Sequence, residues 1–383
     1  MSVAGGELTM RLYPKAVATT TLEVELTLTH SGLRFTTQLH GGFGECSFHL
    51  AANYGQAWLW YDSFARWKRL QIYEAGWGVV WEGRVEDTEL VLGGVNVTAL
   101  GYWSSLFDYP HMVGTAPPAP QTWNANQTAE DIIKAVLTAS GDLIASDQSN
   151  IDDPALIIAT AGDPYAPEDM TPAKIIIDLA RMGDAATDAL WWFAVWADRV
   201  PHFHAQDASV LDWQVRLEDF VPGGLSLRKT PSEFASRVYA TYLVGGTKTW
   251  TNEASDTDIE ADQRRRTYVV PALGEVDAGV ATQRRDTELA ARKYIHPQSR
   301  FTIQAVRDSN GLSRPLWRVR AGDVLRIVDL VPASSGLTTV ALDRLRTFFI
   351  RRTAFDADSG TLTVEPELGA PNLARQMVSL GAR

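Results

Sequence analysis

Apolar and polar residues alternate with period two near the start of the chain. Leu22, Val24, Leu26 and Leu28 interleave with Glu23, Glu25, Thr27 and Thr29. One face of such a segment is apolar and the other polar, as in a half-buried β-strand. His30-Ser31-Gly32 interrupts the run and Leu33 to Thr36 resume it, which predicts a hairpin. Gly41, Gly42 and Gly44 predict a bend or bulge, and Phe48 and Leu50 open another apolar segment. Leu70, Ile72, Val79, Trp81 and Val85 predict two strands around Gly76-Trp77-Gly78. Val95, Val97 and Ala99 close the series after Gly93-Gly94. Short strands separated by glycine turns predict a barrel or sandwich.

The pattern changes after Pro110. Residues 114–120 are proline-rich and read as a linker. Ile132, Ile133, Val136 and Leu137 have three- and four-residue spacing, which predicts an amphipathic helix capped by Thr128 and ended by Gly141. Thr171-Pro172 predicts a second helix start, with Ile175, Ile176, Leu179 and Ala180 inward and Gly183 at the end. Residues 190–197 and 200–205 read as a hairpin around Asp198-Arg199. The β pattern returns at Leu225, with Val238, Tyr239, Tyr242 and Val244 strand-like and 253–266 polar and charged. Residues 281–295 predict a helix with Leu289 and Ala290 inward. Strands are predicted at 301–303, 317–320, 324–330, 348–351 and 361–365, the last two around the turn Asp356-Ala357-Asp358-Ser359-Gly360.

The fold class expected is therefore mainly β with α+β elements. A first β-barrel occupies 1–108, an inserted small α/β domain 109–222, and a second β-barrel with an accessory helix 223–368, followed by a C-terminal tail at 369–383. Each β half ends in a hairpin of similar pattern, 79–85 to 95–100 and 348–354 to 361–364, a weak sign of duplication.

Composition narrows the function. A chain of 383 residues predicts two or three domains. With 45% hydrophobic and 21% charged residues it is globular. The net charge of −11 speaks against a protein that coats nucleic acid. Residues 1–223 carry 12 Lys+Arg against 28 Asp+Glu, and residues 224–383 carry 23 against 18, so the halves stand at −16 and +5. Opposite-signed ends favour head-to-tail packing between copies or neighbours. The single cysteine, Cys46, excludes a disulfide framework and a cysteine zinc site. The first residues lack a charged segment followed by an apolar run, and the most apolar stretch, 189–197, is shorter than the roughly 20 residues of a membrane span. A soluble protein made in the cytoplasm, without membrane insertion, is expected.

Candidate chemistry is sparse. His202 and His204, two apart on a strand, share a face and could meet one metal ion with Asp207; two solvated or interface histidines are the plainer reading, and no metal is assigned. Cys46 and His49 fall on opposite faces of a strand, which disfavours a nucleophile–base pair. Glu86/Asp87 and Glu218/Asp219 could serve a glycosidase but lie in turn-like segments. No phosphate loop, nucleophile elbow or zincin motif is present, and neither enzyme activity nor cofactor is expected. Arg264, Arg265 and Arg266, with Arg284 and Arg285, are candidates for a subunit interface, with phosphate contact as the alternative. The 13 tryptophans supply either core or binding surface.

Two stretches resemble the phage tail hub (baseplate hub) family. The first is Gly44-Glu45-Cys46-Ser47-Phe48-His49-Leu50, then Trp58, Leu70-Gln71-Ile72-Tyr73, Val79-Val80-Trp81-Glu82-Gly83-Arg84-Val85 and Val95 to Tyr102, followed by Ser104-Ser105-Leu106. It is similar to the family's opening barrel. The second runs from Tyr268 to Leu368 and includes Arg320-Ala321-Gly322-Asp323-Val324, the most specific local feature; it is similar to the closing barrel. The resemblance implies a homotrimeric ring in which two barrels per copy imitate sixfold symmetry. It implies contacts with a distal tail or tail tube protein on one side and a central spike, tail fibre or tip protein on the other. The tape-measure protein C-terminus is a further partner, and DNA passes only in transit. Longer members carry an extra C-terminal domain with a peptidase, lysozyme or fibre, and this sequence ends soon after the expected second barrel, so neither cell-wall cleavage nor direct receptor binding is expected of it. The alternatives are a receptor- or carbohydrate-binding tail-tip protein and a tail-associated cell-wall hydrolase.

Overall fold

The computed structural model describes residues 8–16, 21–27, 30–108, 127–141, 143–153, 157–158, 171–184, 190–207, 210–229, 234–271, 276–293, 297–332, 335 and 345–367. The expected strand residues Leu28 and Thr29, the 114–120 linker and the tail at 369–383 lie outside them.

The N-terminal β set comprises β1 (Leu8–Tyr13), β2 (Val24–Thr27), β3 (His30–Gln38), β4 (Gly41–Ala51), β5 (Arg69–Glu74), β6 (Gly78–Val91) and β7 (Gly94–Leu100). Its spatial order is β2–β1–β5–β6–β7–β4–β3, antiparallel throughout. Period two decides what is buried: Leu8, Met10 and Leu12 of β1 and Leu70 and Ile72 of β5 turn to the core. Hairpins form at the two expected glycine turns. Among the described residues, the hairpin expected at His30-Ser31-Gly32 does not form. β2 pairs with β1 and β3 with β4, because alternation fixes the buried face of a strand but not its neighbour. Between β4 and β5 lies α1 (Tyr54–Ser63), which the apolar pattern did not reveal.

The middle of the chain folds as its caps dictate. After β8 (Gln127–Thr128) comes α2 (Ala129–Ala139), where Thr128 Oγ1 accepts from Asp131 N at 3.1 Å and Asp131 Oδ2 accepts from Thr128 N at 3.3 Å, a capping box. β9 (Ile157–Ile158) pairs with β8. In α3 (Pro172–Met182) Thr171 is the cap, Pro172 opens the helix and Gly183, at φ +82°, ends it. β10 (Trp191–Val195) and β11 (Pro201–Ala205) form the expected hairpin around Asp198 and Arg199, both at positive φ. Gly42 meets β10 so closely that a Cβ there would lie 2.3 Å from Val195 O.

The C-terminal part contains β12 (Trp213–Val215), β13 (Phe220–Lys229), β14 (Arg237–Val244), β15 (Thr247–Trp250), β16 (Ala254–Ser255), α4 (Thr257–Asp262), β17 (Thr267–Val270), α5 (Ala278–Arg292), β18 (Pro297–Ile303), β19 (Val306–Asp308), β20 (Ser313–Arg314), β21 (Val324–Ile327), β22 (Thr347–Asp356) and β23 (Thr361–Pro366). β13, β18, β23 and β22 run antiparallel in that order, and β21, β12, β19 and β20 continue from β22. β14 to β17 make a separate small sheet against α5, with Ala235, Val238, Ala240 and Val270 as its core. The strand expected at 317–320 is instead a 3-10 turn at Leu316–Arg318, closed locally by Arg318 N donating to Pro315 O and Val319 N donating to Leu316 O, each at 3.2 Å.

β22 pairs with β3, Phe355 opposite Phe35 and Asp356 opposite Arg34. The two β sets are thus joined by main-chain hydrogen bonds. No pairing among the described residues closes either set on itself. One apolar core runs through both, from Leu8 to Ala99 and from Trp213 to Val364. A second core unites α2, α3, β10 and β11 with Tyr102, Trp103 and the start of α5.

Candidate functional site

The Arg320–Val324 turn lies in the seam between the two β sets. Ala321 N donates to Thr37 Oγ1 at 2.8 Å, and that hydroxyl meets Thr353 Oγ1 at 2.6 Å. Gly322, at φ +96°, donates to Ile350 O at 2.8 Å. Asp323 Oδ2 accepts from Arg320 N and from Trp213 Nε1, each at 2.7 Å. Burial pushes the Asp323 carboxyl up to about 7, and neighbouring Asp212 adds to the shift. The Arg320 guanidinium donates to Val79 O at 2.9 Å and lies 5.3 Å from the ring of Phe43 and 5.4 Å from that of Trp196. Nearby, buried Glu74 accepts from Trp317 Nε1 at 2.8 Å and Arg318 Nη2 at 2.9 Å. The most specific motif of the sequence therefore fastens one β set to the other.

A different surface faces outward. α1 is held by Asn53, whose side chain accepts from Gln56 N at 3.0 Å, and by buried Ala57. Tyr54, Trp58, Leu59 and Tyr61 stay exposed, Trp58 at 53%. Trp67 and Trp77 are exposed as well, Trp67 beneath Lys15 at 4.1 Å and Trp77 beneath Arg318 at 4.3 Å. Three of these five aromatic residues, Tyr54, Trp58 and Tyr61, belong to a helix with no one-sided apolar stripe, and only the Asn53 cap could have signalled it. By contrast Trp81 is core, in contact with Phe43.

The sequence-derived candidates fall in separate places. Arg264, Arg265 and Arg266 are exposed between α4 and β17. Arg285 pairs with Asp286 at 2.7 Å and donates to Asn252 O at 2.9 Å. Arg284, one residue away on α5, points inward and is buried. His202 and His204 share a face, with rings 5.7 Å apart, but the carboxylate that meets His204 Nδ1 at 2.6 Å is Asp152, not Asp207. Burial, then His204, lowers His202 to about 4. No group of three or more His, Cys, Asp or Glu among the described residues is placed to hold a metal. Cys46 is buried and its thiol is pushed up by burial, which disfavours the thiolate; His49 bonds Asn96 instead.

Neither acid pair forms a cleft. Glu86 and Asp87 lie in β6 at a bulge rather than in a turn, and Glu86 is paired with Arg84 at 2.6 Å. Asp219 caps a 3-10 turn, accepting from Arg216 N at 2.7 Å, and is paired with Arg307. No described helix is long and apolar enough to cross a membrane.

Comparison with solved structures adds the fold's relatives. The 43 kDa tail protein of prophage MuSo2 from Shewanella oneidensis aligns over 96% of this chain and 99% of its own, with TM-score 0.60 and 14% identity. A tail protein from Neisseria meningitidis MC58 aligns over 96% and 99%, with TM-score 0.61 and 12% identity. The chain shares its fold with these two tail proteins. Prophage tail protein gp18 from Listeria monocytogenes EGD-e extends the likeness, over 98% of each chain at TM-score 0.51 and 11% identity. No family model and no curated protein matches the sequence.

Proposed function

We propose that this chain is a structural virion protein, the homotrimeric hub at the distal end of a phage tail. In this reading each copy contributes two barrel-like β modules to a ring. The ring joins a sixfold tail tube or distal tail protein to a threefold tip, spike or fibre, and it surrounds the DNA exit channel. The carrying observation is the likeness to tail proteins over 96–98% of the chain, which includes both β sets and the segment between them. The seam supports it: a rigid joint at β3–β22 would hold two modules at a fixed angle, as a ring requires. The acidic net charge of −11 suits a channel that DNA passes without adhering. The tape-measure protein C-terminus belongs among the partners in this reading, and no catalytic role does. Mass photometry of the purified chain is expected to give three times 42.2 kDa, and electron microscopy a threefold ring. A monomer that persists at micromolar concentration overturns the reading.

The exposed Trp58, Trp67 and Trp77 favour a second reading, a tail-tip protein that binds carbohydrate or a receptor through aromatic platforms. Saturable glycan binding by a monomer, lost in Trp58→Ala and Trp77→Ala, would select it.

A further inference from the structure

A cleft of about 530 Å³ lies where α3, α5, β10, β17 and β22 meet. Four guanidinium groups line it, those of Arg181, Arg284, Arg292 and Arg351, in a chain whose net charge is −11. Glu288 answers two of them: its Oε1 meets Arg284 Nη2 and its Oε2 accepts from Arg292 Nε, both at 2.7 Å. That carboxylate still leaves Arg284 Nε and Nη1 without a partner, although the side chain is nine-tenths buried. Trp191 Nε1, from β10, is a third buried donor without a partner in the lining. Guanidinium and indole N–H groups can only donate, and a buried donor with no acceptor carries a standing desolvation cost. The remaining carboxylates of the lining are Asp178 and Glu367. Burial raises Glu367 toward its neutral form despite Arg351 and Arg181, and it lowers His40 to about 4, so His40 is neutral at physiological pH. Arg351 also lies 3.6 Å from Glu365, and the lining includes the Gln206 amide, but the buried groups left without a partner on Arg284 and Trp191 are all donors.

We propose that this cleft is a binding site for a small oxyanion, a carboxylate or phosphate group held by Arg284 and Arg181 with the Trp191 indole as a further donor. Planar guanidinium groups suit such oxygens because they offer paired, charge-assisted hydrogen bonds. The site is independent of the tail reading. The unpartnered groups on Arg284 and Trp191 are donors, which suits an anion better than an apolar or cationic ligand, and the Glu288 carboxylate is already engaged.

Isothermal titration of the full chain with inorganic phosphate and with citrate, at ionic strength held constant by sodium chloride, tests the proposal. Saturable binding at one site per chain is expected. Arg181→Gln and Trp191→Phe should each weaken it about tenfold, the loss of one strong hydrogen bond. Trp191→Phe keeps the ring packing, so its fold is retained where an Arg284 variant would disturb Glu288 and Arg292. Arg264→Gln, on the exposed segment, should bind as the wild type does. Preference for phosphate identifies a free phosphate as the natural ligand, and preference for citrate a carboxylate. No saturable heat from either anion, or equal weakening in Arg264→Gln, overturns the proposal.

Discussion

Glu82 is a buried acid of the N-terminal β set. It accepts from Arg199 N at 2.6 Å and Gln71 Nε2 at 3.0 Å, yet burial outweighs both bonds and raises its pKa from 4.5 to about 7. Between those values the folded chain keeps a proton that the unfolded chain has lost. Stability from this group is therefore full below pH 4.5 and is lost as pH rises through about 7. The span corresponds to something on the order of 3 kcal/mol. His40 acts with the opposite sign. Burial lowers it from 6.5 to about 4, so its contribution is present above 6.5 and is lost as pH falls through about 4. The two slopes oppose each other where they overlap, so a difference measurement separates them. The urea midpoint of the wild type relative to Glu82→Gln is expected to fall between about pH 5 and pH 8. A pH-independent difference would count against the buried, protonated Glu82. None of this is legible in Trp81-Glu82-Gly83, because the groups that enclose Glu82 include Arg199, more than a hundred positions away along the chain.

At the scale of elements, local signals and packing decide different things. Thr128 and Thr171 name their helices in the sequence because a cap is satisfied within three residues. α1 leaves no periodic signature in the sequence because its apolar residues go all round it. Trp60 packs on the core while Tyr54, Trp58 and Leu59 face out. That division predicts a contrast between two tryptophans. Trp81→Ala should cost about 3–5 kcal/mol in urea unfolding, the price of a large core cavity. Trp58→Ala should change stability by no more than about 0.5 kcal/mol, and any loss it causes should be one of assembly, seen as lower mass in photometry. A destabilised Trp58→Ala monomer would instead make α1 part of the core. The pairing of β2 with β1 is the other lesson at this scale. His30-Ser31-Gly32 is a sound turn sequence, but β3 found β4 and β22 as neighbours on either side.

The whole molecule is organised by the seam. Phe35 and Phe355 pack with ring centroids 5.1 Å apart, and Trp317 lies 5.7 Å from Phe355. Gly32 N donates to the Asp358 carboxylate, so chain ends more than three hundred residues apart are tied together. A single core predicts that the β sets unfold together. Calorimetry should show one transition for both, and a fragment of residues 1–108 should bind a hydrophobic dye, because β3 and the core face of the N-terminal set would lose their cover. A fragment that folds with native near-ultraviolet dichroism would mean that each set is its own cooperative unit.

The amino-acid sequence alone determined the β character of both ends, the α2 and α3 boundaries, the β5–β6, β10–β11 and β22–β23 turns and the uneven charge, because each of these is decided by residues within a few positions of one another. Only the tertiary structure decided that Arg320–Val324 is a fastening between β sets, that Arg284 faces a buried cleft while Arg264–Arg266 face solvent, and that β3 pairs with β22. Those outcomes depend on which distant segment supplies the acceptor or the cover, and period and composition carry no information about a partner hundreds of residues away.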